Sequence, residues 1–278
     1  MASLRAVEAL RQVDGWPCDH VAVAVAGLSR AVHGDAAHVF PWASVTKLAT
    51  AVAVLIAAEE GVVDLDQPGG PPGSTVRHLL AHTSGLPFEG QAPIARPGER
   101  RIYSNTGFGV LAALVAEQAD MPFADYFASV WAGTGIVLEG PADSGASGTI
   151  TDLQALAAEL MEPERIAPET LAEATSVQFP GLDGVLPGYG RMSPNDWGLG
   201  FELRDDKSPH WTGTRNTPGT FGHFGSSGTF LWVDPEAGAA LGCLTDLAFG
   251  DWAREAWPRL ADGVLEEIAP RPAPTRAN

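Results

Sequence analysis

The chain has 278 residues, 45% of them hydrophobic and 18% charged, the makeup of a globular protein of one large domain or two interleaved lobes. Its 34 acidic residues against 17 basic ones leave a formal charge of −17, a surface that repels phosphate backbones and acidic lipid, so neither a nucleic-acid nor a membrane partner is expected. Two cysteines, Cys18 and Cys243, cannot build a disulfide framework, and the expectation is free thiols in a cytoplasmic protein.

In chain order, residues 3–13 carry a helical pattern in which Arg5, Glu8 and Arg11 break every apolar run, so no signal-peptide core is seen there. Residues 20–27 and 31–33 read as a hairpin of two short strands. Residues 45–60 are apolar nearly all round, which marks a buried helix, with Gly61 as its stop. Short helical patterns at 76–82, 108–118, 151–161 and 168–174 alternate with turns rich in Gly, Pro, Ser and Thr, the pattern of a helical lobe. Strand patterns follow at 198–204, 228–233 and 239–244, the last two joined by the Asp234–Gly238 turn. A closing helix is expected at 252–268 and a disordered tail at 269–278. Strands at both ends with helices between them predict an α/β (α+β) fold: an antiparallel sheet flanked by helices, built from 1–40 and 195–268, with an all-helical lobe of 41–194 inserted.

Three clusters could carry chemistry. Ser44 and Lys47 sit three apart at the start of the buried helix, where their side chains can touch. Desolvation weakens the lysine's hold on its proton, and the helix N-terminus favours a developing negative charge, so Ser44 could act as a nucleophile. An N-cap serine beside a snorkelling lysine has the same spacing. Tyr103 and Asn105, two apart before a helical pattern, could move a proton and orient an amide or a carbonyl; a buried tyrosine next to a helix start is the plainer alternative. The third cluster, Gly222-His223-Phe224-Gly225-Ser226-Ser227-Gly228, opens a strand with residues small enough for a substrate to lie close, and it contains neither a P-loop nor G-x-S-x-G. His78 and His82 stand four apart, a zinc-compatible spacing, but no acidic residue completes HExxH. No metal and no cofactor is expected.

Taken in order, ASVTK (43–47), VRHLLAHTSGLP (76–87), RPGERRIYSNTGFGVL (96–111) and GHFGSSG (222–228) resemble the signature segments of the serine β-lactamase and penicillin-binding-protein superfamily, most closely its class C-like branch of esterases, D-peptidases and β-lactamase-related proteins. The resemblance runs from about His20 to Asp246. It implies an acyl-enzyme formed on Ser44, activated by Lys47, with Tyr103 as a second proton-transfer group and Asn105 orienting substrate. His223 and Gly225 would stand where many members carry Lys-Thr-Gly, and the N–H groups of Ser44 and Ser226 would form the oxyanion hole. Which of Lys47 and Tyr103 is the base stays open. The implied substrates are small esters, amides or β-lactams, and no protein partner is implied. Two departures from the family pattern stand out: the chain is short for this branch, so loops that would line the acyl pocket are reduced, and the third motif lacks a fixed positive charge and a hydroxyl, which favours esters over β-lactams. No acidic residue fits a water-activating role; Glu162 and Glu164 lie in the right stretch without the surrounding pattern.

Overall fold

The computed structural model describes residues 7–268. The expected tail at 269–278 and the first residues of the expected helix at 3–13 lie outside the described residues; the rest of that helix is a 3-10 helix, Glu8–Gly15. The strands β1 (Val21–Gly27) and β2 (Ala31–Gly34) form the expected hairpin. A short strand β3 (Phe40–Pro41) and a 3-10 turn (Ala43–Val45) lead into α1 (Thr46–Glu59). Every residue of α1 from Thr46 to Ala57 is buried, as an all-round apolar helix requires. Gly61, at φ +73, takes the left-handed conformation just past its end.

The helices α2 (Val76–Leu80), α3 (Asn105–Ala119) and α4 (Phe123–Val130) follow; α3 and α4 pack on α1, and α2 packs on α3. Strands β4 (Val137–Leu138) and β5 (Ala146–Gly148) pair with each other and, through β5, with β3. Next comes α5 (Ile150–Met161), opened by a reciprocal cap between Thr149 and Asp152. It lies across the main sheet, where the Gln154 side chain donates to the Val25 carbonyl (2.8 Å). After α6 (Pro168–Ala174), a hairpin of β6 (Gly184–Leu186) and β7 (Gly190–Met192) follows. The expected all-helical insertion is therefore corrected: it is mainly helical but carries these short strands. At two or three residues each they are too short for an alternating pattern to register in sequence.

The last part of the chain supplies β8 (Glu202–Leu203), β9 (Phe221–Gly225), β10 (Thr229–Asp234), β11 (Ala239–Thr245) and α7 (Asp251–Ile268). The six-stranded antiparallel sheet has the order β2-β1-β11-β10-β9-β8, with Val21 opposite Thr245. Its faces divide by residue parity. Ala22, Ala24 and Ala26 of β1 face the core shared with α1 and α5, while Val23 and Val25 face the core under α7. Small residues let α5 approach: a Cβ on Gly242 would come within 2.9 Å of Leu153.

Two strand expectations shift. Of 198–204 only Glu202 and Leu203 are strand, because Gly200 turns the chain at φ +89 and donates its N–H to the Leu80 carbonyl (3.0 Å). The segment 221–225 is a strand in its own right, not the lead-in to one. Its glycines are there because a neighbouring backbone lies against them: a Cβ on Gly222 would come within 2.8 Å of the Trp232 Cα. Among the described residues no helix is long and apolar enough to cross a membrane.

Candidate active site

The sheet and α1 meet at Ser44. Ala43 precedes it with φ +45, a left-handed conformation that a non-glycine residue keeps only when its surroundings impose it. The imposing bonds are visible. The Thr229 hydroxyl donates to the Trp42 carbonyl (2.9 Å), the Ser227 hydroxyl to the Pro41 carbonyl (3.0 Å), and the Trp42 N–H to the Ala146 carbonyl (2.9 Å). Gly225 makes the approach possible, since a Cβ there would sit 2.7 Å from the Trp42 carbonyl oxygen and 3.0 Å from the Ala43 Cβ. Neither the Ser44 nor the Ser226 N–H donates a hydrogen bond among the described residues.

One turn along α1, the Lys47 side chain is fully buried. Its ammonium nitrogen Nζ donates to Asn105 Oδ1 (2.7 Å), to the Asp143 carbonyl (3.0 Å) and to Ser44 Oγ (3.4 Å). Burial lowers its pKa to about 7, against the opposing pull of the Asp143 carboxylate. Both forms are thus available near neutral pH, and the neutral amine has a lone pair that can take a proton from Ser44. Thr46 and Thr50 tie the same helix to the 142–146 segment, through Ala146 N–H to Thr46 Oγ1 (3.0 Å) and Thr50 Oγ1 to the Ala142 carbonyl (2.6 Å).

Tyr103 directly precedes Ser104, the extended N-cap of α3, which accepts the Gly107 N–H (3.0 Å), and Asn105 is the first residue of that helix. The Tyr103 ring lies beneath Lys47, with Nζ 4.8 Å from its centroid. Its hydroxyl is buried without a well-formed hydrogen bond. Burial raises the phenol's pKa above its ordinary value, the nearby Ser44 hydroxyl opposing and the Asp143 carboxylate adding to the rise. Tyr103 therefore stays protonated at neutral pH.

Across from these groups stands β9. His223 is buried, and its Nδ1–H donates to the Phe224 carbonyl (2.6 Å), which leaves the lone pair on Nε2. Burial first, and Lys47 second, lower its pKa to about 3, so the ring is neutral. A cavity of about 420 Å³ lies between the two sides. Ser44, Tyr103, Asn105 and Ser226 line one part of it, and Trp197, Phe224, Phe249 and Phe88 give it aromatic walls. Its ionisable lining groups besides Tyr103 and His223 are both acids, Glu89 at the exposed mouth and Glu202 in the wall. A larger hollow of about 570 Å³ between the end of α1 and Arg77 contains no serine or cysteine.

The structure thus brings Ser44, Lys47, Tyr103, Asn105, His223 and Ser226 together, with Gly225 behind the Ser44 turn. Glu162 and Glu164 line a different hollow, with Arg30 and Arg165. His78 points away, its ring 4.4 Å from Phe179 and its Nδ1 paired with Thr75 Oγ1. Sequence reading missed Asp143, whose turn-rich surroundings carry no periodic signal, and a buried ionic group on the cavity wall. There Glu202 accepts from His210 Nε2 and Trp211 Nε1 (both 2.9 Å) and pairs with Lys207. Burial alone would raise the Glu202 pKa, but His210 and Lys207 outweigh it and carry it down to about 2. Single charges scattered through a loop give no pattern, so this group was not legible.

The sequence pattern of the β-lactamase family matches residues 13–135 and 128–265. The chain belongs to the β-lactamase family. With this family's fold comes close likeness to one solved structure, a β-lactamase from Mycobacterium bovis: 52% identity over 94% of this chain and 99% of that one, at a TM-score of 0.92. EstCE1, described as a hydrolase with promiscuous acyltransferase activity, shares the fold at a TM-score of 0.71 and 18% identity, over 93% of this chain and 97% of its own. Penicillin-binding protein 4* of Bacillus subtilis (strain 168) is 32% identical over 120 residues, 31% of this chain. That match spans only 27% of the relative's length. Together they place this β-lactamase-family protein in the serine β-lactamase and penicillin-binding-protein superfamily.

Proposed function

We propose that the protein is a serine hydrolase that works through an acyl-enzyme and acts on small carboxylic esters. The observation that carries this reading is Lys47, fully buried with a pKa of about 7 and 3.4 Å from Ser44 Oγ. In the proposed reaction the neutral Lys47 amine takes the Ser44 proton as Oγ bonds to the ester carbonyl carbon. The N–H groups of Ser44 and Ser226 receive the oxyanion. The C–O bond to the alkoxy group then breaks, and the proton passes to the leaving oxygen with Tyr103, a protonated phenol at neutral pH, as relay. Water attacks the acyl-enzyme in the second half, releases the carboxylic acid and restores Ser44. Of the two candidate bases, Lys47 is favoured because its environment lowers its pKa while that of Tyr103 raises it.

Esters are favoured over β-lactams by the wall opposite Ser44, where a neutral His223 and acidic side chains offer a substrate carboxylate no cation. The aromatic lining suits an uncharged group, and EstCE1 is a fold neighbour described as a hydrolase. A second reading, β-lactam hydrolysis, draws on the description of the 52%-identical Mycobacterium bovis protein as a β-lactamase. Rates with short p-nitrophenyl esters, a chromogenic cephalosporin and D-alanyl peptides separate the readings. Ester turnover well above cephalosporin turnover is expected, and the reverse order would favour the second. A single stoichiometric burst without steady release would instead indicate a sensor that acylates once.

A further inference from the structure

We propose that His82 is a positioning residue that sets Tyr103 and Asn105 for the reaction, an inference resting on the reading of Ser44, Lys47 and Tyr103 as the reacting set. His82 is almost wholly buried and leaves α2 with φ +57, a conformation that favours glycine or asparagine. Both of its acceptors grip one extended segment. Its carbonyl accepts the Ile102 N–H (2.8 Å), and its Nδ1 accepts the Ser104 N–H (3.1 Å). These two amides flank Tyr103, and in an extended chain they point the same way, so the two bonds fix the backbone on both sides of the tyrosine. The imidazole also lies against the Tyr103 ring, with centroids 4.8 Å apart, and against Phe108 at 5.4 Å.

The clamp ends where α3 begins. Ser104, held by His82 at its N–H, donates its hydroxyl to the Pro87 carbonyl (2.6 Å) and caps the helix, and the next residue is Asn105 with Oδ1 2.7 Å from Lys47 Nζ. One residue therefore holds the segment on both sides of Tyr103, its carbonyl at Ile102 and its imidazole at Ser104, the residue just before Asn105. Only a neutral imidazole protonated on Nε2 can accept at Nδ1, and burial, with Lys47, His223 and Arg101 nearby, holds His82 in the neutral state. A phenylalanine would fill the same space but leave a buried N–H without an acceptor, whereas asparagine offers an acceptor and tolerates the backbone.

The test measures ester kcat and KM, fluorophosphonate labelling of Ser44 and thermal midpoints for His82→Phe and His82→Asn, each alone and combined with Tyr103→Phe. His82→Phe is expected to lower kcat by about tenfold to a hundredfold with KM nearly unchanged, and His82→Asn by less. In the Tyr103→Phe background the further loss from either change should shrink severalfold, to the part that acts through Asn105, because the Tyr103 hydroxyl is gone. Losses that multiply in the double variants, or that follow the thermal midpoint alone, overturn the inference. If His82→Phe does not fold, His82→Asn carries the same comparison. A wild-type protein that neither turns over esters nor labels at Ser44 would overturn the hydrolase reading as well, which distinguishes the two failures.

Discussion

The two sides of the cavity are built on opposite plans. On the side of α1 and α3, polar atoms are crowded and bonded to one another: Lys47 Nζ alone reaches Asn105, Asp143 and Ser44. On the side of β9, the lining is aromatic, the histidine is neutral, and the buried Glu202 carboxylate is already paired with Lys207 and His210. A reaction needs fixed proton donors and acceptors, and selectivity needs a surface that accepts some groups and rejects others. The contrast separates these tasks, so changes on the first side should alter how fast any substrate reacts and changes on the second should alter which substrate reacts.

The largest effect is expected on the first side. Ser44→Ala should abolish ester turnover, by about four orders of magnitude or more, together with covalent labelling by a fluorophosphonate, while the fold persists. Labelling that persisted at Ser84 or Ser226 would sink the assignment. Lys47→Met should follow with a loss of about 10²- to 10⁴-fold in kcat. In the proposed reaction the neutral amine is the reactive form, so kcat/KM should fall as the pH drops through about 7 and hold above it, the direction set by burial of Lys47. A profile flat from pH 8 to 5 would rule out this base.

On the second side a smaller change of a different kind is expected. His223→Lys places an ammonium opposite Ser44 and should raise cephalosporin kcat/KM by about tenfold through a charge-assisted bond to the substrate carboxylate, while lowering ester turnover little. No gain would show that this wall does not read charge. Phe224 is better left in place: its ring packs 5.0 Å from Phe249 and 5.9 Å from Trp257, and truncation to threonine would cost about 3 kcal/mol by opening a hole. The smallest effect concerns the thiols, which belong to neither side. Cys18 is partly exposed and Cys243 is buried on β11, and both are free. Alkylation of the unreduced native protein should modify Cys18 alone with activity retained, and denaturation should expose both; a denatured chain with no titratable thiol would contradict this.

Much of the first side was legible in the sequence because it is local. Ser44 and Lys47 share one helix turn, Tyr103 and Asn105 share one loop-to-helix junction, and α1 declares its burial by being apolar all round. The second side is assembled from distant pieces, and only its glycine-rich strand carried a signal. Even that was misplaced by one element, because glycine reads as a break whereas Gly222 and Gly225 are spaces kept for a neighbouring backbone. Trp197 and Glu202 share one turn, and they meet Phe224 and Phe249 only through the fold. Asp143 was invisible for a further reason: its hydrogen bond to Lys47 uses the backbone carbonyl, which every residue possesses.

The pairing of β1 with β11 has a consequence for how the molecule is made. During synthesis β1 emerges long before the strand that completes it, which ends at Thr245. Through that interval α1 has emerged without the completed sheet that covers it, and the hairpin that pins Pro41 and Trp42 does not yet exist. The Ser44 turn, held in its left-handed geometry by that hairpin, is therefore assembled only after Ser227 and Thr229 have been translated. A chain cut short before Ser227 would keep every residue of the first side and still lack the bonds that shape the Ser44 turn.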